Sequence, residues 1–144
     1  MEGGVMVKTT TMSLETRGHT DIVDITSQVS TILSDSRAKE GILTVFVPGS
    51  TASVTTIEYE PGLVKEDLPQ ALEKLAPAGV RYAHDSAWGE GNGYAHVRAS
   101  IVGPGLTIPF SKGSLMLGTW QQIVFVDYDN RPRTRKIIVQ IIGE

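Results

Sequence analysis

Two patterns of apolar residues alternate along the chain and predict different elements. Runs rich in β-branched residues predict strands over residues 5–16, 42–47 and 50–59, with a short extended segment at 21–25. Apolar residues spaced three and four apart predict two helices, over about 26–36 and 65–75. In the first helix the buried stripe is Val29, Ile32 and Leu33, and in the second it is Leu68, Leu72 and Leu75.

The second half of the chain is dominated by the strand pattern. Residues 79–93 hold four glycines and many polar side chains, which predicts a loop. Strict alternation predicts a strand over 94–102, with His96 on its polar face. The remaining predicted strands are short ones around 106–110 and 115–117, then a terminal hairpin of 121–128 and 133–142 around the turn 129–132.

These elements predict an α+β fold in one domain over residues 1–144. We expect a mostly antiparallel two-sheet sandwich of about eight strands, with two helices packed to one side. Regular alternation of strands and helices is absent from the pattern, which disfavours a doubly wound nucleotide-binding fold. A chain of 144 residues is also too short for a (β/α)8 barrel, which needs at least about 200.

Charge and composition narrow the function classes. The chain has 13 basic and 16 acidic residues and a net charge of −3, so we expect no nucleic-acid partner. The sequence holds no apolar run of about 18 residues, so we expect no membrane partner. The N-terminus lacks the pattern of a signal peptide, and a cytoplasmic location is the simplest expectation. The absence of cysteine excludes thiolate ligands and a cysteine nucleophile.

His84 and His96 are the strongest candidates for chemistry. They are twelve residues apart across the glycine-rich segment, so folding can bring both rings to one point. Paired neutral imidazoles are common ligands of zinc and related metals, and a carboxylate would complete a site. The candidate carboxylates are Glu58, Asp67, Asp85 and Glu90, with Glu58 favoured as a third catalytic residue. The alternative is that both histidines are structural, and the spacing alone slightly favours it.

Four further groups are candidates for ligand binding. Each also has an ordinary structural explanation, such as core packing of a tryptophan or a solvated strand end. The groups are the loop residues Asp85, Trp88, Glu90 and Asn92; the segment Gly118, Thr119, Trp120 and Gln121; the basic row Arg131, Arg133 and Arg135; and the hydroxyl-rich segment Gly49, Ser50, Thr51, Ala52 and Ser53. Of these we predict Ser50, Thr51, Asn92, Trp120, Gln121 and Arg135 as substrate-binding residues, and we name Lys112 as another cation for an anionic group.

Several strings together resemble one family. They are ITSQV near residue 25, GILTVFVPGSTASVTTIEYEPGLVKEDL from 41, YAHDSAWGEGNGYAHVRASIVGPGLTIPFSKGSLMLGTWQQIVFVDYD from 82, and RTRKIIVQIIG at the end. This chain is similar over nearly its whole length to the YjbQ-like family of small conserved proteins. Members are often described as secondary thiamine-phosphate synthase enzymes.

The resemblance implies a compact α+β sandwich that assembles as a homotrimer. It also implies three histidines in many members, two of which match His84 and His96. Where the first would stand this chain has Ser50, so a third imidazole is missing unless Glu58 or a water replaces it. The reaction implied joins a hydroxymethylpyrimidine diphosphate to a thiazole phosphate and releases pyrophosphate.

Two functions follow from these observations. The first is a metal-assisted enzyme for phosphorylated substrates, with thiamine-phosphate synthase-like activity, in which His84 and His96 bind a divalent metal such as zinc or magnesium. The second is a non-catalytic homotrimeric module that binds a metabolite or a metal, with the two histidines structural. Turnover of phosphorylated metabolites would separate them, since a binding module shows only a ligand-dependent rise in melting temperature.

Overall fold

The computed structural model describes residues 4–144, so the first three residues of the predicted domain lie outside the described part. Over this range eight strands combine with four α-helices. The strands are β1 (Met6–Thr16), β2 (Asp21–Asp24), β3 (Gly41–Phe46), β4 (Ala52–Glu58), β5 (Gly105–Ser111), β6 (Ser114–Leu115), β7 (Gln121–Asp127) and β8 (Arg133–Gly143). The helices are α1 (Thr26–Ser36), α2 (Leu68–Leu75), α3 (Ala83–Trp88) and α4 (Gly93–Val102).

The strands form two antiparallel sheets. The large sheet has the order β1-β8-β3-β5-β6 and the small sheet the order β2-β7-β4. Every strand pair in both sheets is antiparallel. The predicted α+β fold with a mostly antiparallel two-sheet sandwich is therefore confirmed.

The main core lies between the two sheets because strand residues alternate in direction. Every second residue of β3 and β8 in the large sheet points into this core. Apolar residues of β4 and β7 in the small sheet pack against them. Burying one such side chain stabilises the fold by about 1.5–3 kcal/mol relative to leaving it exposed. The central inward residues are Leu43, Val45, Val54, Ile123, Phe125, Ile137, Val139 and Ile141, and α1 adds Val29 and Leu33.

A second core lies on the other face of the small sheet. Val124 and Val126 of β7 point away from the large sheet and pack against Leu72 of α2 and Tyr94 and Ala95 of α4. Two helices therefore cover one side of the sandwich. They are α2 and α4, whereas the predicted first helix, α1, belongs to the core between the sheets.

Three connections pass from one sheet to the other at the same end of the sandwich. They are β1 to β2, β3 to β4 and β7 to β8. The strand registers bring them together, since Ala52 and Asp21 both pair with Asp127, and Thr16 pairs with Arg133. Polar groups of these connections are consequently gathered at one end of the sandwich.

The predicted strand over 94–102 is wrong, because these residues form helix α4. The sequence also fits a helix whose buried residues are Tyr94, Ala95, Arg98 and Ala99. This helical periodicity was missed because Arg98 was counted as a polar, solvent-facing residue, whereas it is buried. Its guanidinium is satisfied by the Glu73 carboxylate at 2.7 Å and by the carbonyl oxygen of Ala76 at 3.0 Å. The predicted loop over 79–93 is likewise interrupted by α3.

The predicted terminal hairpin is also wrong. Strand β7 pairs with β2 and β4 in the small sheet, whereas β8 pairs with β1 and β3 in the large sheet. The connection between them is a crossing from one sheet to the other and not a tight turn. The turn residues signalled the change of direction, but local sequence does not specify which strands pair.

The other predicted elements agree with the structure within a few residues. A π-helical turn over Leu63–Asp67 precedes α2 and accounts for the early start of the predicted second helix. Within residues 4–144, no helix is long and apolar enough to cross a bilayer.

Candidate functional site

A polar cavity of about 330 Å³ lies at the end of the sandwich where the three connections cross. Its walls come from the β3–β4 connection, from α3 and the start of α4, and from the β7–β8 connection with the first residues of β8. The lining residues are Pro48, Gly49, Ser50, Thr51, His84, Trp88, Glu90, Asn92, His96, Asp129, Arg133 and Arg135.

His84 and His96 meet in this cavity. Their ring centroids are 4.2 Å apart and the ring planes are inclined by 36°. The two helices that carry them are tied together by Asp85, whose carboxylate accepts hydrogen bonds from the amides of Tyr82 at 3.1 Å and Gly93 at 3.2 Å. The carboxylate of Asp85 is thus used to hold the first residues of α3 and α4 together.

The proximity of the two rings affects their protonation. Burial lowers the pKa of His96 below its usual 6.5, and the nearby His84 ring lowers it further, against opposing effects of Asp129 and Glu90. His96 is therefore mostly neutral at pH 7 and can accept a proton. Nδ1 of His84 is buried and has no hydrogen-bond partner within residues 4–144.

A buried ion pair forms the floor of the cavity. Arg135 donates from Nε and Nη2 to the two carboxylate oxygens of Asp127, at 2.7 and 2.8 Å. Thr16 Oγ1 donates to the same carboxylate at 2.6 Å. Because Asp127 belongs to the small sheet and Arg135 and Thr16 to the large one, these bonds join the sheets. Burial raises the pKa of Asp127, but the hydrogen bonds from Arg135, Thr16 and the Asp129 amide outweigh it, and the net pKa is lowered.

Asp129 is a second buried carboxylate with four hydrogen-bond donors. They are Asn92 Nδ2 at 3.2 Å, Thr51 Oγ1 at 3.2 Å, Arg133 Nη1 at 2.6 Å and the amide of Asn130 at 2.8 Å. Burial raises its pKa and these donors lower it by more, so the net pKa is below the ordinary value. Asp129 therefore stays ionised and organises the cavity wall.

The predicted site residues divide into two groups. Six of them line the cavity together: Ser50, Thr51, His84, Asn92, His96 and Arg135. Thr51 acts there as a link, because its hydroxyl accepts from Arg135 Nη2 at 2.7 Å and donates to Asp129. Four further members of the candidate groups, Gly49, Trp88, Glu90 and Arg133, also line this cavity.

Glu58, Trp120 and Gln121 do not line this cavity, so the structure does not bring them together with the two histidines. Glu58 ends β4 at the end opposite Ala52, about 20 Å away at the usual rise of a strand. Glu58 and Trp120 line a separate groove with Asp24 and Tyr59. Gln121 donates to Thr56 Oγ1 and accepts from the Gly118 amide, which makes it part of a turn.

Three other candidate residues, Asp67, Lys112 and Arg131, do not line the cavity. Asp67 is exposed in the π-helical turn. Lys112 lies between β5 and β6, where its amide donates to Glu40. Arg131 is exposed in the β7–β8 connection and is not among the residues that line the cavity.

Sequence reasoning missed Asp127 and Asp129, which it treated as a strand end and a turn. A usable sign was present, because acidic residues directly follow the apolar run IVFV. A carboxylate at the end of a fully buried strand needs donors nearby, and the basic residues 131, 133 and 135 follow within eight positions of Asp127.

The residues present supply only part of a metal site. Over the range the structure describes, no three His, Cys, Asp or Glu side chains are grouped so that they could hold a metal ion. The two imidazoles and the open Nδ1 of His84 are donors of the right kind. Of the candidate carboxylates, Glu58 and Asp67 lie elsewhere, Asp85 holds the two helix starts, and Glu90 lines the cavity without completing a group of three with the histidines. Metal binding by His84 and His96 therefore stays a prediction.

Comparisons with known proteins identify relatives over almost the whole chain. A family model described as UPF0047 protein YjbQ-like matches residues 10–144. A UPF0047 protein of Archaeoglobus fulgidus is 37% identical over 91% of this chain and 98% of its own length. The UPF0047 protein YugU of Bacillus subtilis is 31% identical over 92% of this chain and 98% of its own.

Solved structures have the same fold. A YbjQ-like protein of unknown function from Sulfolobus solfataricus P2 matches with a TM-score of 0.92 and 32% identity, covering 98% of this chain and 100% of that chain. An uncharacterised member from Clostridium acetobutylicum matches with a TM-score of 0.83 and 37% identity, over 92% of this chain and 98% of that chain.

Replacing Asp127 with Asn tests the ion pair at the cavity floor. The change leaves the buried Arg135 guanidinium without its counter-charge, so we expect a loss of about 3–5 kcal/mol in the free energy of unfolding. Urea denaturation measures it, with Asp35→Asn on the exposed face of α1 as the control, expected to stay within about 0.5 kcal/mol. Equal stability of the Asp127 variant and the wild type would contradict this role.

The same pair predicts how stability depends on pH. Because the pKa of Asp127 is lower in the folded chain than its usual 3.8, its contribution is fully present above that pH and is lost as the pH falls below it. The stability difference between wild type and Asp127→Asn should therefore shrink in strongly acidic buffer.

The contact of the two rings predicts that the pKa of His96 depends on His84. By NMR, the pKa of His96 in the wild type should lie below 6.5. In His84→Gln it should rise, because the charge of the neighbouring ring is removed. It should remain below 6.5, because burial is the larger cause and persists. An unchanged or lower value in the variant would show that the rings do not interact.

Proposed function

This chain belongs to the UPF0047 YjbQ-like family, and we propose that it is a cytoplasmic enzyme acting by acid–base chemistry on a small phosphorylated molecule. The observation that carries the proposal is the contact of His84 with His96, at 4.2 Å between centroids, in a cavity that also presents two arginines. A proton-transfer pair and an anion-binding pair in one cavity favour catalysis over packing.

The two arginines support the phosphate part of the proposal. Each guanidinium is fixed on one side by a carboxylate: Arg135 by Asp127 and Arg133 by Asp129. Fixed guanidinium groups bind phosphate well because their remaining N–H donors are already oriented. Arg135 Nη1 faces the Gly49 segment, 3.4 Å from where a side chain at Gly49 would begin. Glycine there leaves room for an anion beside the guanidinium.

The histidines support the acid–base part. Neutral His96 can accept a proton from an attacking hydroxyl or water and later return it to the leaving oxygen. With the two rings in contact, the His84 ring disfavours a proton on His96 and adds to the effect of burial in lowering its pKa. The exposed hydroxyl of Ser50 also lines the cavity, where the family resemblance would place an imidazole.

The cavity size supports a small substrate. A volume of about 330 Å³ is at the lower end of the usual range for small-molecule sites. Thiamine-phosphate synthase-like activity is the specific reaction that the family resemblance suggests. In the metal-assisted form of the reaction, His84 and His96 would instead bind a divalent metal, which would supply charge for a leaving diphosphate, and their ring nitrogens would then not accept protons.

A turnover assay with histidine variants tests this proposal. The protein is incubated with hydroxymethylpyrimidine diphosphate and thiazole phosphate, and separately with a panel of phosphate monoesters, with magnesium, with zinc and with a chelator. We expect turnover of at least one substrate, and a loss of about 100-fold or more in the double variant His84→Gln, His96→Gln. Dependence on added metal would support metal assistance.

The third histidine provides a matched control. His19 lies outside the lining of this cavity, so His19→Gln should keep wild-type activity. Full activity in the double variant would refute the catalytic role of the pair. A rise in melting temperature with a phosphorylated compound, without turnover of any, would instead support the non-catalytic metabolite-binding module.

We also propose that the chain assembles as a homotrimer, as the family resemblance implies. The outer face of the large sheet supports this. It exposes a row of apolar side chains across neighbouring strands, in which Val7 pairs with Ile142 and Ile142 with Ile42. These side chains are 65%, 39% and 43% exposed, and contiguous exposed apolar surface is typical of protein interfaces.

Light scattering coupled to size-exclusion chromatography measures the assembly. We expect a mass of three chains for the wild type and a shift toward one chain for Ile42→Lys, because a buried lysine at the row would cost several kcal/mol. Ser30→Lys on the exposed side of α1 is the control. A monomeric wild type at high concentration would contradict the proposal.

A further inference from the structure

The side-chain oxygen of Asn92 is a hydrogen-bond acceptor without a partner in a residue that lines the cavity. The residue is 3% exposed and lines the cavity. Its Oδ1 atom is buried and has no hydrogen-bond partner within the described chain. A buried acceptor without a donor is costly, so such an atom calls for an explanation.

The orientation of this amide is fixed by two carboxylates. Nδ2 of Asn92 donates to Asp129 Oδ1 at 3.2 Å and to Glu90 Oε2 at 3.4 Å. A flipped amide would turn its oxygen toward both carboxylates, and neither carboxylate can donate when ionised. The amide oxygen, and not the amide nitrogen, is therefore the group left open.

The surrounding side chains do not supply the missing donor. The Thr51 hydroxyl donates to Asp129, and Arg133 directs Nη1 to the same carboxylate. Asp129 itself has four donors and stays ionised. No donor group of the described residues reaches Asn92 Oδ1, so its donor comes from a molecule outside the described chain.

We propose that the ligand carries, besides its phosphate, a hydroxyl or amine that donates to Asn92 Oδ1. Asn92 is then a specificity-determining residue that selects hydroxylated or aminated phosphate esters over plain alkyl phosphates. This inference rests on the proposed function, because it assumes that the phosphate is held by Arg133 and Arg135. Sites that pair a buried polar group with a ligand group discriminate strongly against analogues that lack it.

Matched phosphate esters test the inference on the wild-type protein. Dissociation constants are measured by calorimetry or ligand-observed NMR for glycerol 3-phosphate against propyl phosphate, and for ethanolamine phosphate against ethyl phosphate. Inorganic phosphate is the reference, and zinc alone is measured as well. We expect the donor-bearing ester of at least one pair to bind about tenfold more tightly than its partner.

The variant Asn92→Leu assigns the difference to this residue. It keeps a similar side-chain volume and removes the Oδ1 acceptor, together with the Nδ2 donor to Asp129, which retains three other donors. The ratio of dissociation constants within the pair should therefore fall to about twofold or less. Binding of inorganic phosphate should remain, which also shows that the variant is folded. Gln28→Leu on the exposed face of α1 is the control and should keep the wild-type ratio.

Each other outcome overturns a definite statement. Equal binding within both pairs overturns the role of Asn92 and leaves the proposed function standing. A difference in affinity within a pair that persists in Asn92→Leu also overturns it, because another group of the protein then accepts the hydrogen bond from the ligand. Zinc binding that is lost in Asn92→Leu would make Asn92 a metal ligand instead. If no phosphate compound binds, the proposed function fails, and this inference fails with it. The wild-type comparison stands even if the leucine variant does not fold.

Discussion

The ion pair between Asp127 and Arg135 holds the two sheets together where the cavity opens. Hydrophobic packing between the sheets is not directional and stabilises the sandwich without fixing its polar end. Two bonds of 2.7 and 2.8 Å between Arg135 and the carboxylate, with a third from Thr16, fix that end in one arrangement. Replacing one partner would strand a buried charge, so the geometry of the cavity depends on this pair.

From this floor the cavity is built outward in two steps. Arg135 holds Thr51, and Thr51 and Arg133 hold Asp129. Asp129 then orients Asn92 at the start of α4, one turn before His96. The groups proposed to bind and react are thus supported by a continuous network of hydrogen bonds, which limits their movement and keeps the two carboxylates ionised.

Much of this arrangement could be predicted from the sequence, and the failures have physical causes. Alternation located most strands because one or both of their faces are buried. It failed over 94–102, because Arg98 occupies a core position, where it forms an ion pair with Glu73. A charged residue at a buried position makes the apolar periodicity of the helix unrecognisable in the sequence. The pairing of β7 and β8 with other strands was also not predicted, because it depends on contacts between residues that are distant in sequence. The meeting of His84 and His96 could be anticipated from their spacing, and Asp127 and Asp129 left a sign in the acidic residues that follow a buried strand. The displacement of Glu58 could not be anticipated, because it depends on which end of β4 faces the cavity.

The central claim is that the paired histidines and the paired arginines form one anion-binding acid–base site. A crystal structure of the protein grown with tungstate, a heavy analogue of phosphate, tests it most directly by anomalous scattering. The account predicts a tungstate peak in the cavity within hydrogen-bond reach of Arg133 or Arg135 and beside the neighbouring rings of His84 and His96. Separated rings, together with tungstate bound only elsewhere on the surface, would contradict it.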